Sequence, residues 1–346
     1  MRIEEFFESG RSIYVVAEVS QNHDGSLGQA HAFIDAVAKT GADAIKFQTH
    51  IAAEESTLSE PFRVNFSYCD KTRYDYWKRM EFSEEQWRGL FDHAREKGLD
   101  FLSSPFSAAA LELLDRIGVP AWKFGAGEVF NEVLLKKAIK TGKPIILSTG
   151  LSTIEDIDCQ VEMVKRAGNP LLLMQCTTAY PSQAEEIPVK LIQVFRERYG
   201  CPVGISDHSA TIYPSLAAIS LGARAAEVHV TMSREMFGPD VKASVTMEEL
   251  REIVEGAKFI EKMLSASENK DKLSDAQKEL RTIFSKSIYA KRNLRTGDVL
   301  DENVLAIKKP YAEYGIDVSD YDKVLGKRIA VDIAADEVIR WEDIGK

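Results

Sequence analysis

The stretch PIILSTGLSTIEDIDCQVEMVKRAGNPLLLMQC, residues 144–176, contains two short apolar segments separated by a longer segment with helical spacing. The apolar segments, 144–149 and 171–176, are aliphatic and predict buried β-strands. Between them, Ser152 and Glu155 have the spacing of a capping box, which predicts where the intervening helix begins. The stretch therefore predicts one strand–helix–strand unit of a parallel sheet.

The same unit recurs along the chain. Strands are predicted at 13–19, 44–48, 100–104, 121–125, 144–149, 171–176, 202–206 and 225–230. Further capping boxes start helices at Ser83 with Gln86 and at Thr246 with Glu249. Eight such units in about 260 residues predict an α/β fold of the (β/α)8 TIM-barrel type, because an open doubly wound sheet has fewer strands and an early glycine fingerprint. Neither G-x-G-x-x-G nor G-x-x-x-x-G-K-[ST] occurs in the sequence.

The spacing also predicts the division of the chain into domains. Residues 1–265 are expected to form the barrel, and the polar, charged residues 266–284 a helical or flexible linker. Residues 285–346 change to short strands and turns, which indicates a small, mostly β domain. Within the barrel, residues 51–82 form an insertion rich in aromatic and charged residues, which is expected to fold over one end of the barrel or to extend its packing.

Composition excludes several classes of function. The chain of 346 residues has 44 Lys and Arg against 54 Asp and Glu, so its net charge of -10 argues against a nucleic-acid partner. No apolar run approaches the roughly 18 residues of a membrane span, and the N-terminus lacks the order of a signal peptide. The four cysteines are scattered and are expected to be reduced thiols. We expect a cytoplasmic protein without membrane contact.

Polar side chains stand at nearly every predicted strand end, which is where barrel enzymes carry their chemistry. One polar residue at a strand end is usually a helix cap or a satisfied structural group. Charged groups inside a barrel are different, because a buried charge is costly unless it is paired or used. The strand-end residues are Glu18, Lys46, Gln48, Ser103, Ser104, Lys123, Glu128, Ser148, Thr149, Gln175, Thr177, Thr178, Tyr180, Ser206, Asp207, His208, Glu227 and His229.

Two histidines of this set predict a metal site. His208 and His229 end neighbouring strands, about 4.8 Å apart in a sheet, so both imidazoles are expected to reach one divalent cation. Two protein ligands leave positions for water and substrate, as in a Lewis-acid site. Asp207 and Glu227 are expected to accept hydrogen bonds from the two rings.

Two lysines predict an anion site on the opposite side of the same barrel end. Lys46 and Lys123 stand there with Ser104 and Ser148, which supply hydroxyl donors. Such a group of donors suits a phosphate or a carboxylate.

The order of the motifs resembles one known family. The segments AEVSQNHDGSLGQA, GADAIKFQTH, KFGAGE, STG, QCTTAYPS, GISDHS, EVHVTM and FGPD follow, in order, the motifs of the sialic acid synthases. Members of that family are transferases that condense phosphoenolpyruvate with an N-acetylated amino sugar. The part of the chain from residue 285 resembles the small antifreeze-like (SAF) domain that follows the barrel in those enzymes.

The resemblance implies roles for individual residues. It implies that His208 and His229 bind a divalent metal, usually Mn²⁺, with Mg²⁺ or Co²⁺ as alternatives. The catalytic residues that it implies are Glu128, Glu18 and Gln48. The substrate-binding residues, taken from the resemblance and from the strand ends together, are Lys46, Lys123, Ser104, Ser148, Thr178, Tyr180, Ser206, Glu227, Asp240 and Lys309.

Three residues depart from the family's pattern. Ala126 stands where many relatives have Ser, so one hydroxyl contact to phosphoenolpyruvate is missing. Thr178 stands where bacterial relatives often have Asn. Lys309 replaces an Arg that contacts the acetamido group of the sugar in the family, and an ammonium cannot reproduce the planar fork of a guanidinium. A changed sugar preference, including a diacetamido-trideoxy sugar, is therefore one expectation, and contact from Tyr311 or Tyr314 is another.

The resemblance further implies a mechanism and an assembly. The metal would act on the sugar aldehyde while the methylene carbon of phosphoenolpyruvate attacks it, and phosphate would leave by C–O cleavage. Glu128 would either take a proton from water or stabilise the cationic centre. A domain-swapped homodimer is the implied assembly. Two other functions remain open from the residues alone: a Schiff-base aldolase using Lys46 or Lys123, and a non-catalytic carbohydrate-binding module.

Overall fold

Eight parallel strands form a barrel in the computed structural model, which describes residues 2–10, 12–62, 64–266 and 269–345. Each predicted strand is present within one or two residues of its expected bounds. The strands are β1 (Tyr14–Ser20), β2 (Ala44–Thr49), β3 (Asp100–Pro105), β4 (Trp122–Phe124), β5 (Ile145–Ser148), β6 (Leu171–Cys176), β7 (Val203–Asp207) and β8 (Ala225–Thr231). The TIM-barrel prediction is confirmed.

Helices alternate with these strands and form the outer layer, apart from the first helix, which precedes β1 and packs against one end of the barrel. They are α1 (Ile3–Ser9), α2 (Leu27–Ala38), α3 (Ala52–Glu55), α4 (Arg73–Met80), α5 (Glu84–Glu96), α6 (Ala108–Ile117), α7 (Glu132–Ile139), α8 (Ile154–Ala167), α9 (Leu191–Tyr199), α10 (Tyr213–Ser220) and α11 (Met247–Leu264). Helix α5 illustrates why they form, since Ser83 caps it and Trp87, Leu90, Phe91 and Ala94 make one buried stripe.

The strand order is that of a nearly closed barrel. Hydrogen-bonded neighbours run β3-β2-β1-β8-β7-β6-β5-β4, and a short strand, β9 (Val245–Thr246), pairs with β8. The outer strands of this series, β3 and β4, contact each other and bring the two edges together. Because all eight strands are parallel, their carboxyl ends meet at one end of the barrel, which we call the mouth.

The opposite end of the barrel is filled with apolar side chains. Tyr14, Leu102, Ile146 and Leu172 belong to one buried cluster there together with Ile3 and Phe6 of α1, and further members of the cluster are Val16, Ala44, Ala121, Met174 and Ala225. Asp100 holds α1 in place, since its carboxylate accepts hydrogen bonds from the Ile3 amide and the Tyr14 hydroxyl, each at 2.7 Å. The short sequence before the first strand is therefore part of the barrel's core.

Two capping boxes are confirmed and one lies a residue later than predicted. Ser83 with Gln86 and Thr246 with Glu249 start α5 and α11. Helix α8 is capped by Thr153 with Asp156, not by Ser152 with Glu155. Both pairs have a hydroxyl followed three residues later by a carboxylate, and the Asp156 carboxylate reaches the Thr153 amide at 2.8 Å.

A second compact unit follows the barrel. The two units of the chain are Met1–Ala266 and Ser267–Lys346. The second unit contains α12 (Asp275–Phe284), the antiparallel pair β10 (Ser287–Ala290) and β11 (Leu305–Lys308), and the short helix α13 (Tyr321–Val324). Its own core includes Ile288, Leu300, Ile316 and Ile339. No helix among the described residues is long and apolar enough to cross a membrane.

Candidate active site

Four charged side chains point into the barrel just below the mouth. Side chains alternate between the inside and outside of each strand, and Glu18, Lys46, Lys123 and Glu227 occupy inward positions on β1, β2, β4 and β8. All four are at most 4% exposed. Glu18 lies opposite Lys46 in the β1–β2 register. The sequence prediction of charges inside the barrel is thus met by four side chains that share one layer.

These charges pair with one another. The Lys46 ammonium contacts the Glu18 carboxylate and lies 3.6 Å from Glu227 Oε1. The Lys123 ammonium lies 3.4 Å from the same Glu227 oxygen, which also accepts a hydrogen bond from the Ser206 hydroxyl at 3.2 Å. Two cations and two carboxylates therefore balance in a region that excludes most water.

Burial and charge act against each other on the pKa values of this layer. Burial alone would raise the pKa of Glu227, but the ammonium groups of Lys123 and Lys46 lower it to about 2. Burial tends to lower the pKa of Lys46, yet the Glu18 and Glu227 carboxylates raise it above its usual value. Burial lowers the pKa of Lys123, and it raises that of Glu18 against the opposing effect of Lys46.

Of the two predicted anion-binding hydroxyls, that of Ser148 lies beside Lys123. Its ammonium donates to Ser148 Oγ at 2.8 Å, and Ser104 is buried opposite Gln48 in the β2–β3 register. A Cβ atom on Gly150 would lie 2.2 Å from Thr178 Oγ1, so only glycine lets the loop after β5 approach Thr178 this closely. Lys123 thus meets Ser148, and Thr178 lies against the loop that follows Ser148.

The two predicted metal ligands come together at the mouth. The rings of His208 and His229 have centroids 5.1 Å apart. His208 Nδ1 lies 2.7 Å from the Thr177 carbonyl oxygen, an acceptor, so Nδ1 carries the proton and Nε2 keeps its lone pair. Burial lowers the pKa of both rings, to about 4 for His208 and about 3 for His229, so both are neutral near pH 7.

This pair fits a cation held by two imidazoles. His229 Nδ1 is buried and has no hydrogen-bond partner among the described residues, as expected of a ring whose nitrogen is reserved for a ligand. Over the same part of the chain, no group of three or more His, Cys, Asp and Glu side chains has the geometry of a metal site. The donors that the described residues bring together are therefore these two rings.

The carboxylates predicted to orient the two rings do not do so. Asp207 instead accepts from the amide and hydroxyl of Ser209, at 3.1 and 2.8 Å. Glu227 faces the lysines and Ser206, as described above. A backbone carbonyl orients His208 in their place, and because every residue type has a carbonyl, no sequence pattern indicates it.

Tyr180 and Asp240 lie at the rim of the mouth. The Tyr180 ring is 4.2 Å from that of His208 and 5.9 Å from that of His229. Asp240 Oδ2 accepts a hydrogen bond of 2.5 Å from Ser20, and burial raises the pKa of this carboxyl. Ser20 has a left-handed φ of 51° at an irregularity in β1, which aims its hydroxyl across the mouth.

Glu128 and Gln48 lie on the side of the mouth formed by β2 and the loop after β4. Glu128 accepts from Asn131 Nδ2 at 3.1 Å, and burial raises the pKa of its carboxyl. Gln48 donates to Glu18 Oε1 at 3.1 Å. The neighbouring His50, which the sequence prediction omitted, contacts Gln48 and Glu55. Its signal was present in the KFQTH motif, directly after the strand that carries Lys46 and Gln48.

One predicted substrate-binding residue belongs to the second compact unit. Lys309 lies in the segment after β11, and its ammonium stands over the Phe284 ring, 5.0 Å from the centroid. The other predicted site residues belong to the barrel unit.

Comparison with known proteins identifies the family. The model of the NeuB family matches residues 33–269, and that of the SAF domain matches residues 285–345. The chain belongs to the NeuB family. It is 32% identical to the N,N'-diacetyllegionaminic acid synthase of Campylobacter jejuni, over 94% of this chain and 98% of the relative. It is 30% identical to the human N-acetylneuraminate-9-phosphate synthase, over 95% of this chain and 92% of the relative.

A solved structure agrees with this membership. The N-acetylneuraminic acid (sialic acid) synthetase of Leptospira borgpetersenii superposes with a TM-score of 0.70 at 28% identity, covering 79% of this chain and 91% of that one. The NeuB chain described here is accordingly an enzyme of the synthase type, and the predicted family, fold and enzymatic nature are confirmed.

His23 generates a prediction about stability and pH. The ring is completely buried, its Nδ1 accepts from the Gly25 amide at 3.1 Å, and burial, with the charges of His50 and Arg79, lowers its pKa to about 3. Below pH 6.5 the unfolded chain binds a proton there that the folded chain does not, so the free energy of unfolding falls as the pH decreases toward 3. Above pH 6.5 this contribution vanishes.

We expect His23 to remove about 2 kcal/mol of stability between pH 7.5 and pH 5. The His23→Asn variant keeps an acceptor near the Nδ1 position but does not titrate. The free energy of unfolding that it loses between pH 7.5 and pH 5 should therefore be about 2 kcal/mol smaller than the loss in the wild type. Urea unfolding followed by tryptophan fluorescence at both pH values measures the difference. Equal losses in the two proteins would contradict the prediction.

Proposed function

We propose that this NeuB chain condenses phosphoenolpyruvate with an N-acetylated amino sugar, N-acetylmannosamine or a related diacetamido sugar. The products are a nine-carbon 2-keto sugar acid and phosphate. The observation that carries the proposal is the grouping of Lys123, Ser148 and Lys46 inside the barrel, at the end that also holds two neutral imidazoles. The names of the relatives, synthases of legionaminic acid and N-acetylneuraminate 9-phosphate, support the same type of product.

The anion would lie over the two lysines. Lys123 donates to Ser148 Oγ and reaches Glu227, so its ammonium is held in one position before substrate arrives. Lys46 is held in the same way between Glu18 and Glu227. Preorganised cations in a dry site bind a phosphate or carboxylate without reorienting at the moment of reaction. Ser104, Thr178 and Ser206 would add hydroxyl donors to that site.

His208 and His229 would hold the divalent cation, for which we propose Mn²⁺, with Mg²⁺ or Co²⁺ as alternatives. When bound, the cation would polarise the aldehyde oxygen of the open-chain sugar. The Thr177 carbonyl supports this assignment because it fixes the tautomer that leaves His208 Nε2 available.

Glu128 is proposed to handle the proton of the attacking water. The methylene carbon of phosphoenolpyruvate forms a bond to the aldehyde carbon, water adds to C2, and the bond from C2 to the phosphate oxygen breaks. The carboxyl of Glu128 suits a general base because burial raises its pKa above the ordinary value of a glutamate and so makes it more basic. Stabilisation of the cationic C2 centre by the same carboxylate is the alternative role.

The sugar would lie nearer the rim. Tyr180 stands against both histidines, and Asp240 is held by Ser20. Glu18 lies deeper, joined to Gln48. Lys309 is proposed to approach the acetamido group from the second compact unit of a partner copy in a domain-swapped homodimer. We also propose a cytoplasmic location, in keeping with phosphoenolpyruvate as substrate.

A Schiff-base aldolase is the second candidate, favoured by one observation. Burial lowers the pKa of Lys123, as is usual for nucleophilic lysines. Borohydride reduction in the presence of a 2-keto acid would then trap a covalent adduct on Lys123 or Lys46, whereas the proposed synthase gives none. A non-catalytic carbohydrate-binding module no longer accounts for the chain, because the chain is a synthase-type enzyme.

The first prediction for this function concerns the metal. Wild-type protein with Mn²⁺, phosphoenolpyruvate and candidate amino sugars should release phosphate, and a chelator should stop the release until Mn²⁺ is restored. His208→Ala should lower the rate about 100-fold or more, since the cation loses one of two protein ligands. His31→Ala, in α2, is the matched control with unchanged rate. Full activity in excess chelator would refute the metal site.

A second prediction concerns the anion site. Lys123→Met or Lys46→Met should lower kcat/KM for phosphoenolpyruvate about 10- to 150-fold, the equivalent of about 1.5 to 3 kcal/mol for a charge-assisted hydrogen bond. Lys140→Met removes an exposed lysine and should have no effect. Steady-state phosphate release measures all three variants. A variant with unchanged kcat/KM would remove that lysine from the site.

A third prediction concerns the assembly. A chain ending at Leu280 should keep a folded barrel but show little synthase activity, because it lacks the domain that would complete the partner's site. Mixing it with full-length His208→Ala, also inactive, should restore part of the activity through hybrid dimers, and sedimentation would show the dimer. A truncated chain that is fully active as a monomer would overturn the proposal.

A further inference from the structure

His50 stands between two aromatic rings at the carboxyl end of β2. Its imidazole is nearly parallel to the Trp77 ring, with centroids 4.0 Å apart and an angle of 13°, and to the Phe106 ring, at 4.3 Å and 17°. Two rings at stacking distance cannot occupy the same face of one imidazole. Trp77 therefore stacks on one face of His50 and Phe106 on the other. Trp77 belongs to α4 in the insertion and Phe106 follows β3, so three separate segments fix the plane of the imidazole.

Both nitrogens of His50 face hydrogen-bond acceptors. Nδ1 lies 2.5 Å from Glu55 Oε1, and Nε2 lies 3.3 Å from Gln48 Oε1. The orientation of the Gln48 amide is set on its other side, where Nε2 donates to the Glu18 carboxylate at 3.1 Å and Oε1 accepts from Gln21 at 3.0 Å.

The contact with Gln48 fixes one feature of the imidazole. Gln48 Oε1 can only accept, so His50 Nε2 carries the hydrogen that is donated to it. The faces of Trp77 and Phe106 keep the imidazole in the plane that this hydrogen bond needs.

We propose that His50, held by Glu55, Trp77 and Phe106, is a positioning residue that keeps the Gln48 amide in the orientation that donates to Glu18. Gln21 and His50 both donate to the Gln48 oxygen, so without the N–H of His50 only one donor opposes a half-turn of the amide, which would present its oxygen to the Glu18 carboxylate. Such a rotation would remove one hydrogen bond and place two acceptors against each other. The role in catalysis rests on the proposed function, in which Gln48 and Glu18 contact the reacting substrates.

Two substitutions of similar size separate positioning from mere packing. In His50→Gln the side-chain nitrogen can reach the position of Nε2 and donate to Gln48, whereas in His50→Asn it reaches only the position of Nδ1. We expect His50→Asn to lower kcat about 10- to 100-fold, as the loss of a supporting hydrogen bond does in other sites, with KM for phosphoenolpyruvate within about twofold. His50→Gln should keep kcat within about threefold of wild type.

A double-mutant cycle tests whether the effect passes through Gln48. In a Gln48→Ala background, His50→Asn should cause no further loss, because the amide that it orients is gone. Equal losses in His50→Asn and His50→Gln, or an undiminished effect of His50→Asn in the Gln48→Ala background, would overturn the positioning role. Thermal unfolding of each variant shows that it is folded.

A measurement without substrate keeps this inference separate from the proposed function. In protein labelled with ¹⁵N-histidine, Nε2 of His50 should carry a proton, with the signal assigned by its loss in His50→Asn. An Nε2 of His50 without a proton in the wild type would refute the inference, even if the enzyme releases phosphate as proposed. Conversely, wild-type protein inactive with every amino sugar would defeat the proposed function and leave this result intact.

Discussion

Charge balance inside the barrel is the constraint on which the mouth depends. Lys46 reaches both Glu18 and Glu227, and Lys123 reaches Glu227 and Ser148. Each ion costs several kcal/mol to remove from water, and its partners offset that cost only while their geometry is kept. The loss of one member therefore leaves an uncompensated buried charge, which forces the others to move. The balance holds these side chains in fixed positions, which is what preorganised binding of an anion requires.

Two features of the barrel produce this balance. Side chains alternate between the inside and the outside along each strand, and the apolar side chains beneath the charged layer have sizes that support it. Apolar residues close the lower end with α1, and the charged layer lies on top of them. Gly204 is essential to that stacking, since a Cβ atom there would lie 2.6 Å from Met174 Sδ and 2.7 Å from the Ala225 carbonyl oxygen. Met174 occupies the space that Gly204 leaves, directly beneath the layer of Ser206 and Glu227. Packing at one level thus fixes the position of charges at the next.

Sequence predicts the parts of this arrangement that depend on periodicity. Alternation along a strand placed Lys46, Lys123 and Glu227 inside, and adjacency of β7 and β8 brought His208 to His229. The sequence does not predict contacts made by the backbone or by irregular segments. The Thr177 carbonyl that orients His208 has no signature in residue type, and the Trp77 ring against His50 comes from an insertion without strand or helix period over most of its length. The start of α8 was missed because Ser152 and Thr153 both satisfy the same local pattern.

Gln48 joins the balanced interior to the imidazole at the rim. Its amide donates to Glu18 within the charged layer and presents its oxygen to Gln21 and His50 above it. An amide has both a donor and an acceptor but no net charge, so it can connect the carboxylate below to the imidazole N–H above. A carboxylate at this position would place a third negative charge beside Glu18 and Glu227, and a lysine would place a third cation beside Lys46 and Lys123. The neutral side chain therefore transmits orientation from His50 to Glu18 and leaves the balance of buried charge unchanged.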